Sequence, residues 1–277
     1  MGKSVMDIDC PVVMPYYGGK FTMSKRLIEM IPPHERYIEV FAGGASMFFR
    51  KKKVKWNVLN DLDNDIVNLY ICVLKEFEEL KRHIYWYIKS RTLFDEFSEI
   101  IKKGKIDIPD PERAAQYFFI VNNSFNSMLG GSFSKDSNKN YNINVEEELK
   151  LSRNKLQNVT IENFDFKELV NRYEPRKEDF WYLDPPYVVA EKKGYYRNIF
   201  NEQSHIALKI CIDKIDKGNG QFMVSYDDEP EIKELYKNYN IKTISTKYAG
   251  TSPEKRKEIK TELVILNYEP KEQVQLF

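Results

Sequence analysis

The chain is poor in cysteine and histidine, with three of each in 277 residues. Cys10, Cys72 and Cys211 are far apart and odd in number, which argues against a disulfide framework. No close Cys/His cluster offers a zinc site, so no metal is expected. His34, His83 and His205 are scattered, and each reads as an incidental core or surface residue. No apolar run is long enough to span a membrane. Residues Met1 to Cys10 lack a charged-then-apolar leader pattern, so the expectation is a cytoplasmic protein. Net charge is nearly absent, at +1 from 43 basic and 42 acidic residues. Such a balance does not announce a nucleic-acid binder, nor does it exclude one, because a local basic face matters more than the total. Basic runs at Arg50 to Lys53, Lys102 to Lys105 and Lys255 to Lys257 read singly as solvated surface. GxGxxG and GK[ST] signatures are missing, as are internal repeats and low-complexity tracts.

What remains is a globular composition, 42% hydrophobic and 31% charged, in which strand-like and helix-like segments alternate. That alternation predicts an α/β fold. Strands are expected at Tyr37 to Phe41, Trp56 to Leu59, Val159 to Glu162, Phe180 to Asp184, Gln221 to Tyr226, Ile241 to Ser245 and Glu262 to Tyr268. Helical spacing runs from about Ile66 to Lys103 and resumes at Arg113 to Val121 after Pro109 and Pro111. Further helices are expected at Glu202 to Lys217 and Pro230 to Asn238. Asn122 to Asn144, rich in Asn and Ser with paired glycines, predicts an irregular loop or short hairpin. The expected organisation is a sheet-based domain in two parts, 1–68 and 156–277, with a mostly helical segment, 69–155, inserted between them.

The most informative string is Asp184-Pro185-Pro186-Tyr187, directly after an apolar strand. The prolines stiffen the turn, and Pro185 has a carbonyl but no N–H. Carboxylate, carbonyl and ring together suit a flat ligand that bears an amino group. The competing reading is an ordinary turn, where Asp and Pro are common. Other segments fall near strand ends, where α/β folds bind ligands. Phe41-Ala42-Gly43-Gly44-Ala45-Ser46 is a glycine turn that lets a ligand approach the backbone. Asp61, about twenty residues on, suits a ribose diol, although Asp61, Asp63 and Asp65 could instead cap a helix. Asp165-Phe166 could accept from an adenine amino group and pack on the purine, or simply start a helix. Tyr16-Tyr17-Gly18-Gly19-Lys20 offers a cation for a ligand carboxylate, or is a surface turn. Together they describe a ligand with adenine, ribose and a carboxylate tail but no phosphate cradle, which S-adenosylmethionine fits.

With those motifs in order, the chain resembles the Dam-type DNA adenine N6-methyltransferases from Tyr16 to about Tyr268. The resemblance also takes in Phe200, His205 and Leu208, and Lys255-Arg256-Lys257 with Thr261-Glu262-Leu263. It implies a Rossmann-like S-adenosylmethionine-dependent methyltransferase sheet with an antiparallel last strand, plus an inserted target-recognition domain. It implies that Tyr16 and Lys20 contact the methionine end of the cofactor, and that Glu39, Phe41 and Gly43 line its cleft. Asp61 would hold the ribose, and Asp165 and Phe166 the cofactor adenine. Asp184, Pro185 and Tyr187 would bind the target base, Asp184 also facing the cofactor. In the polar loop, Asn126, Ser132 and Lys135 are the expected DNA contacts.

The expected activity is transfer of a methyl group to N6 of a flipped-out adenine in double-stranded DNA. Asn at position 184 would have suggested glutamine as substrate, and Ser cytosine N4. The alternatives are an RNA adenine methyltransferase and a non-catalytic DNA-binding module. Family members reading GATC tend to carry an arginine and a Phe-Asn-Val-Pro-like hairpin; Ser124 to Ser134 has neither. The expectation is therefore only a short adenine-containing site. A bacterial or phage origin, a cognate restriction endonuclease acting separately, and a monomer or weak dimer are compatible with this reading.

Overall fold

The computed structural model describes residues 6, 10–16, 18–20, 22–103, 106–135, 144–187, 200–247 and 259–270. Tyr17, Gly104, Lys105, Tyr141 and the Lys255 to Lys257 run lie outside the described residues. Seven strands form one sheet: β1 (Arg36–Glu39), β2 (Trp56–Asn60), β3 (Thr160–Glu162), β4 (Asp179–Leu183), β5 (Gln221–Asp227), β6 (Asn240–Lys247) and β7 (Ile259–Leu266). Their spatial order is β3-β2-β1-β4-β5-β7-β6. β4 is parallel to both β1 and β5. β7, the last described strand, runs antiparallel to β5 and β6, as expected. All five residues of β4 are buried, which is why Phe180 to Leu183 reads as a continuous apolar run rather than an alternation.

Among the described residues the α-helices are α1 (Ser24–Glu29), α2 (Ser46–Arg50), α3 (Asn64–Lys75), α4 (Phe77–Trp86), α5 (Arg91–Lys102), α6 (Pro111–Asn123), α7 (Asn144–Leu156), α8 (Phe166–Tyr173), α9 (Glu202–Lys217) and α10 (Pro230–Leu235). Capping side chains start most of the longer ones. Asp63, Ser90, Asp110, Asp165 and Asn201 each accept a backbone N–H from the first turn of α3, α5, α6, α8 and α9. The continuous helical stretch expected from Ile66 to Lys103 is three helices instead. It breaks at Glu76, and again over Tyr87–Ser90, where Ser90 caps α5. α10 stops three residues short of Asn238. Among the described residues, no helix is long and apolar enough to cross a membrane.

Two compact units make up the chain. The first comprises Met1–Lys20, Ala42–Lys53 and Leu59–Asn163. In it Arg113 of α6 forks onto Asp65 of α3 at 2.6 and 3.1 Å, and also donates to the carbonyls of Ile100 and Ile101 at the end of α5. Asn68 and Asp110 exchange two further hydrogen bonds, each 2.8 Å. The second unit comprises Phe21–Phe41, Val54–Val58 and Phe164–Phe277. Its core is built from the inner faces of β1, β4, β5 and β7 with α8 and α9.

Candidate active site

In the second unit the chain leaves β1 for one side of the sheet and returns at β4 on the other, so β1 and β4 flank the switch point where open α/β sheets bind ligands. Glu39 pairs with Tyr182, and Val40 N–H donates to the Tyr182 carbonyl at 3.0 Å. The ends of both strands therefore run side by side, with Glu39 to Phe41 on one and Asp184-Pro185 on the other. Glu39 is buried and accepts from the Tyr37 hydroxyl at 2.8 Å. Asp184 is half-buried and Pro185 buried. The Tyr182 hydroxyl lies 3.0 Å from Ser225 Oγ on β5. Burial, and then the Asp184 charge, push the Tyr182 phenol well above its ordinary pKa.

Tyr187 is 8% exposed. Its hydroxyl donates to Glu262 Oε2 on β7 at 3.0 Å, and its ring lies 6.2 Å from that of Tyr226 on β5. Tyr226 is held in turn, its hydroxyl 2.8 Å from His205 Nδ1. Phe41, Phe166 and Phe200 form a triangle of rings with every centroid separation 5.8 Å. Asp165 caps α8 by accepting from Lys167 N–H at 2.9 Å.

The first unit holds the glycine turn. Gly43 has φ +48°, a value that favours glycine. Its N–H donates to Asp61 Oδ2 at 2.8 Å, and its carbonyl accepts from the Tyr70 hydroxyl at 2.6 Å. A Cβ on Gly43 would come within 2.8 Å of the Tyr16 ring. Asp61 Oδ1 accepts from Asp63 N–H at 2.9 Å, and Asp63, not Asp61, caps α3. Burial raises the Asp61 pKa from 3.8 to about 7, against the opposing pull of those two N–H donors. Lys20 is buried and donates to the Gly18 carbonyl at 3.2 Å. Tyr70 gave no sign in the sequence, because a tyrosine inside an apolar helix reads as core.

The described part of the Asn-rich segment, residues 122–135, folds back on itself as a short hairpin, and residues 136–143 lie outside the described residues. Ser124 bridges Phe133, Phe125 N–H donates to the Ser132 carbonyl at 2.8 Å, and residues Phe125–Ser127, Asn126 among them, form one 3-10 turn. Lys89 donates to the Lys135 carbonyl at 3.1 Å, and Arg91 sits 5.0 Å over the Phe133 ring. Ser132, Lys135 and Phe125 are exposed.

Residues 16–249 match the family of D12 class N6 adenine-specific DNA methyltransferases. The chain belongs to this family. The methyltransferase is 27% identical over 269 residues to the Type II methyltransferase M1.LlaDCHI of Lactococcus lactis subsp. cremoris, covering 91% of this chain and 93% of that protein. It is 22% identical over 263 residues to the DNA adenine methylase of Vibrio cholerae serotype O1, covering 86% and 91%. Among solved structures it aligns with an S-adenosylmethionine-dependent methyltransferase from Agrobacterium tumefaciens at a TM-score of 0.41 and 10% identity, over 91% of this chain and 61% of that one.

The methyltransferase uses S-adenosylmethionine as methyl donor and DNA as substrate. The residues present suit that donor chemically. In the first unit the buried Lys20 ammonium and the Asp61 carboxylate are groups of the kinds that meet a carboxylate and a diol, and in the second unit Phe166 is a buried apolar ring.

Proposed function

We propose that this adenine methyltransferase acts on a flipped-out base within a short duplex sequence, through Asp184, Pro185 and Tyr187. The observation that carries this reading is the Asp184-Pro185-Pro186-Tyr187 turn at the end of β4, beside the switch point, with its tyrosine hydrogen-bonded to a buried carboxylate. The adenine amino nitrogen is a weak nucleophile because its lone pair is delocalised into the ring. The Asp184 carboxylate and the Pro185 carbonyl accept its two N–H bonds. That favours a pyramidal nitrogen with its lone pair free. The cofactor supplies the methyl group, and the displaced proton leaves through Asp184 or to water. A stacked base inside a duplex cannot reach such a turn, so the adenine flips out and stacks on Tyr187.

The cofactor roles follow the resemblance residue by residue. Tyr16 and Lys20 take the methionine end, Glu39, Phe41 and Gly43 line the cleft, Asp61 takes the ribose, and Asp165 with Phe166 takes the adenine. Residues 69–155 act as the target-recognition domain, with Asn126, Ser132 and Lys135 meeting DNA and basic segments contacting phosphate. Likeness to a protein named a Type II methyltransferase favours a restriction-modification setting, with a cognate endonuclease acting separately. A monomer or weak dimer suffices for this chemistry.

The test is methylation of plasmid DNA by purified protein with S-adenosylmethionine, read base by base with single-molecule sequencing. N6-methyladenine in one repeated context is expected, and it names the site. Unmodified DNA from a protein that binds the cofactor would overturn the DNA reading in favour of RNA or a non-catalytic role. Full activity in Asp184→Ala would overturn the proposed mechanism.

A further inference from the structure

We infer that Glu262 is a positioning residue for the target base, acting through the hydroxyl of Tyr187. The inference rests on the proposed stacking role of Tyr187.

Tyr187 follows β4, yet its hydroxyl reaches Glu262 on β7, with β5 lying between the two strands. Neighbouring strands are about 4.8 Å apart, so the Tyr187 and Glu262 side chains together bridge roughly two strand spacings across the carboxyl end of β5. Tyr226 of β5 lies alongside it, at 6.2 Å and tilted 35°. Glu262 pairs with Asp227 across β5 and β7, so its Cα position is set by the sheet. It is 3% exposed, and a carboxylate so deeply buried is retained only where it is well partnered.

The 3.0 Å hydrogen bond anchors the hydroxyl end of the Tyr187 ring on a residue whose backbone is fixed in the sheet. Burial, and then the charges of Asp184 and Glu262, hold the Tyr187 phenol well above its ordinary pKa, so the hydroxyl remains the donor. The prolines fix one end of this side chain and Glu262 the other. The direction of the ring's long axis is thereby set before any base arrives, and the Tyr226 ring packed beside it limits rotation about that axis, which together hold a stacking face in place for orienting a nitrogen lone pair. Phenylalanine at 187 would keep the stacking area and lose the orientation.

Four variants of the full chain test this: Tyr187→Phe, Glu262→Leu, Glu262→Gln and the double Tyr187→Phe/Glu262→Leu, with Tyr187→Ala as a control. Single-turnover methylation is measured alongside S-adenosylmethionine affinity, and flipping is followed by fluorescence of 2-aminopurine at the target position. Tyr187→Phe and Glu262→Leu should each slow methylation about tenfold at unchanged cofactor affinity. The double should be no slower than the worse single. Glu262→Gln, which keeps an acceptor, should stay within about threefold of the parent. Multiplying losses in the double, or parental rates in Tyr187→Phe, would overturn the positioning role. Should Glu262→Leu fail to fold, Tyr187→Phe and Glu262→Gln decide alone. Parental rate and fluorescence in Tyr187→Ala would instead overturn stacking itself. A slow Tyr187→Ala beside a fast Tyr187→Phe would leave stacking standing and sink the role of Glu262.

Discussion

Replacing Arg113 by Met should be among the most destabilising single changes in the helical segment, because of what it leaves behind. Arg113 is 8% exposed and Asp65 2%, and the guanidinium holds the carboxylate with two hydrogen bonds while serving the Ile100 and Ile101 carbonyls. Met retains the side chain's packing but takes the countercharge away from the buried Asp65 carboxylate. Breaking a buried pair in this way costs about 3–5 kcal/mol. For a chain of this length the unfolding entropy is about 0.6 kcal/mol per kelvin, so the midpoint should fall by about 5–9 °C. Removing that carboxylate as well, in Asp65→Leu/Arg113→Met, should recover about 1–3 kcal/mol of that. What remains is the cost of the two orphaned helix-end carbonyls, about 1 kcal/mol each. Chemical and thermal denaturation of parent, single and double would read both numbers. A single-variant loss below about 1 kcal/mol, or a double as unstable as the single, would refute the reasoning.

Tyr70→Phe should leave the Gly43 carbonyl without its 2.6 Å donor, lowering stability by about 1–3 kcal/mol, and calorimetry should find weaker S-adenosylmethionine binding. Gly43→Ala should do more harm to cofactor binding, since it adds strain at φ +48° to a Cβ pressed against the Tyr16 ring. Ala45, at φ 47° and ψ 40°, is itself left-handed, so Ala45→Gly should stabilise the protein by about 1 kcal/mol in the same denaturation assays. The Asp61 pKa is raised above its unfolded value, so its neutral form favours the folded state. The stability difference between parent and Asp61→Asn should therefore decline as pH rises from about 4 to about 7 and be flat above, and a difference that grows over that range would reverse the assignment.

The strands and the turn that ends β4 were legible because local chemistry dictates them. Phe180 to Leu183 is apolar on both faces because β4 is covered on both faces, and the two prolines can only end it. Asp61 was legible as important but not in its detailed contacts. Three acids spaced two apart look equivalent in sequence, and only the structure separates the cap, Asp63, from the residue that ties down Gly43. The helix breaks near Glu76 and Tyr87 carry no Gly or Pro, so the apolar period runs through them unmarked. α7 follows an Asn-rich run that conceals its start. The Arg113–Asp65 fork and the Tyr187–Glu262 bond join residues 48 and 75 positions apart, and no local pattern encodes either.

The position of β7 bears on the order of events during synthesis. β6 joins the sheet through β7, which is translated after it, and β7 inserts between two strands already made. Until residue 262 has left the ribosome, the edge of β5 is bare and the hydroxyl of Tyr187 has no acid to meet. At about 5–20 residues per second, several seconds separate the emergence of the Asp184 motif from that of its support. Nascent chains are then expected to carry an assembled-looking motif without methylating activity, and the enzyme should switch on only once β7 is threaded home.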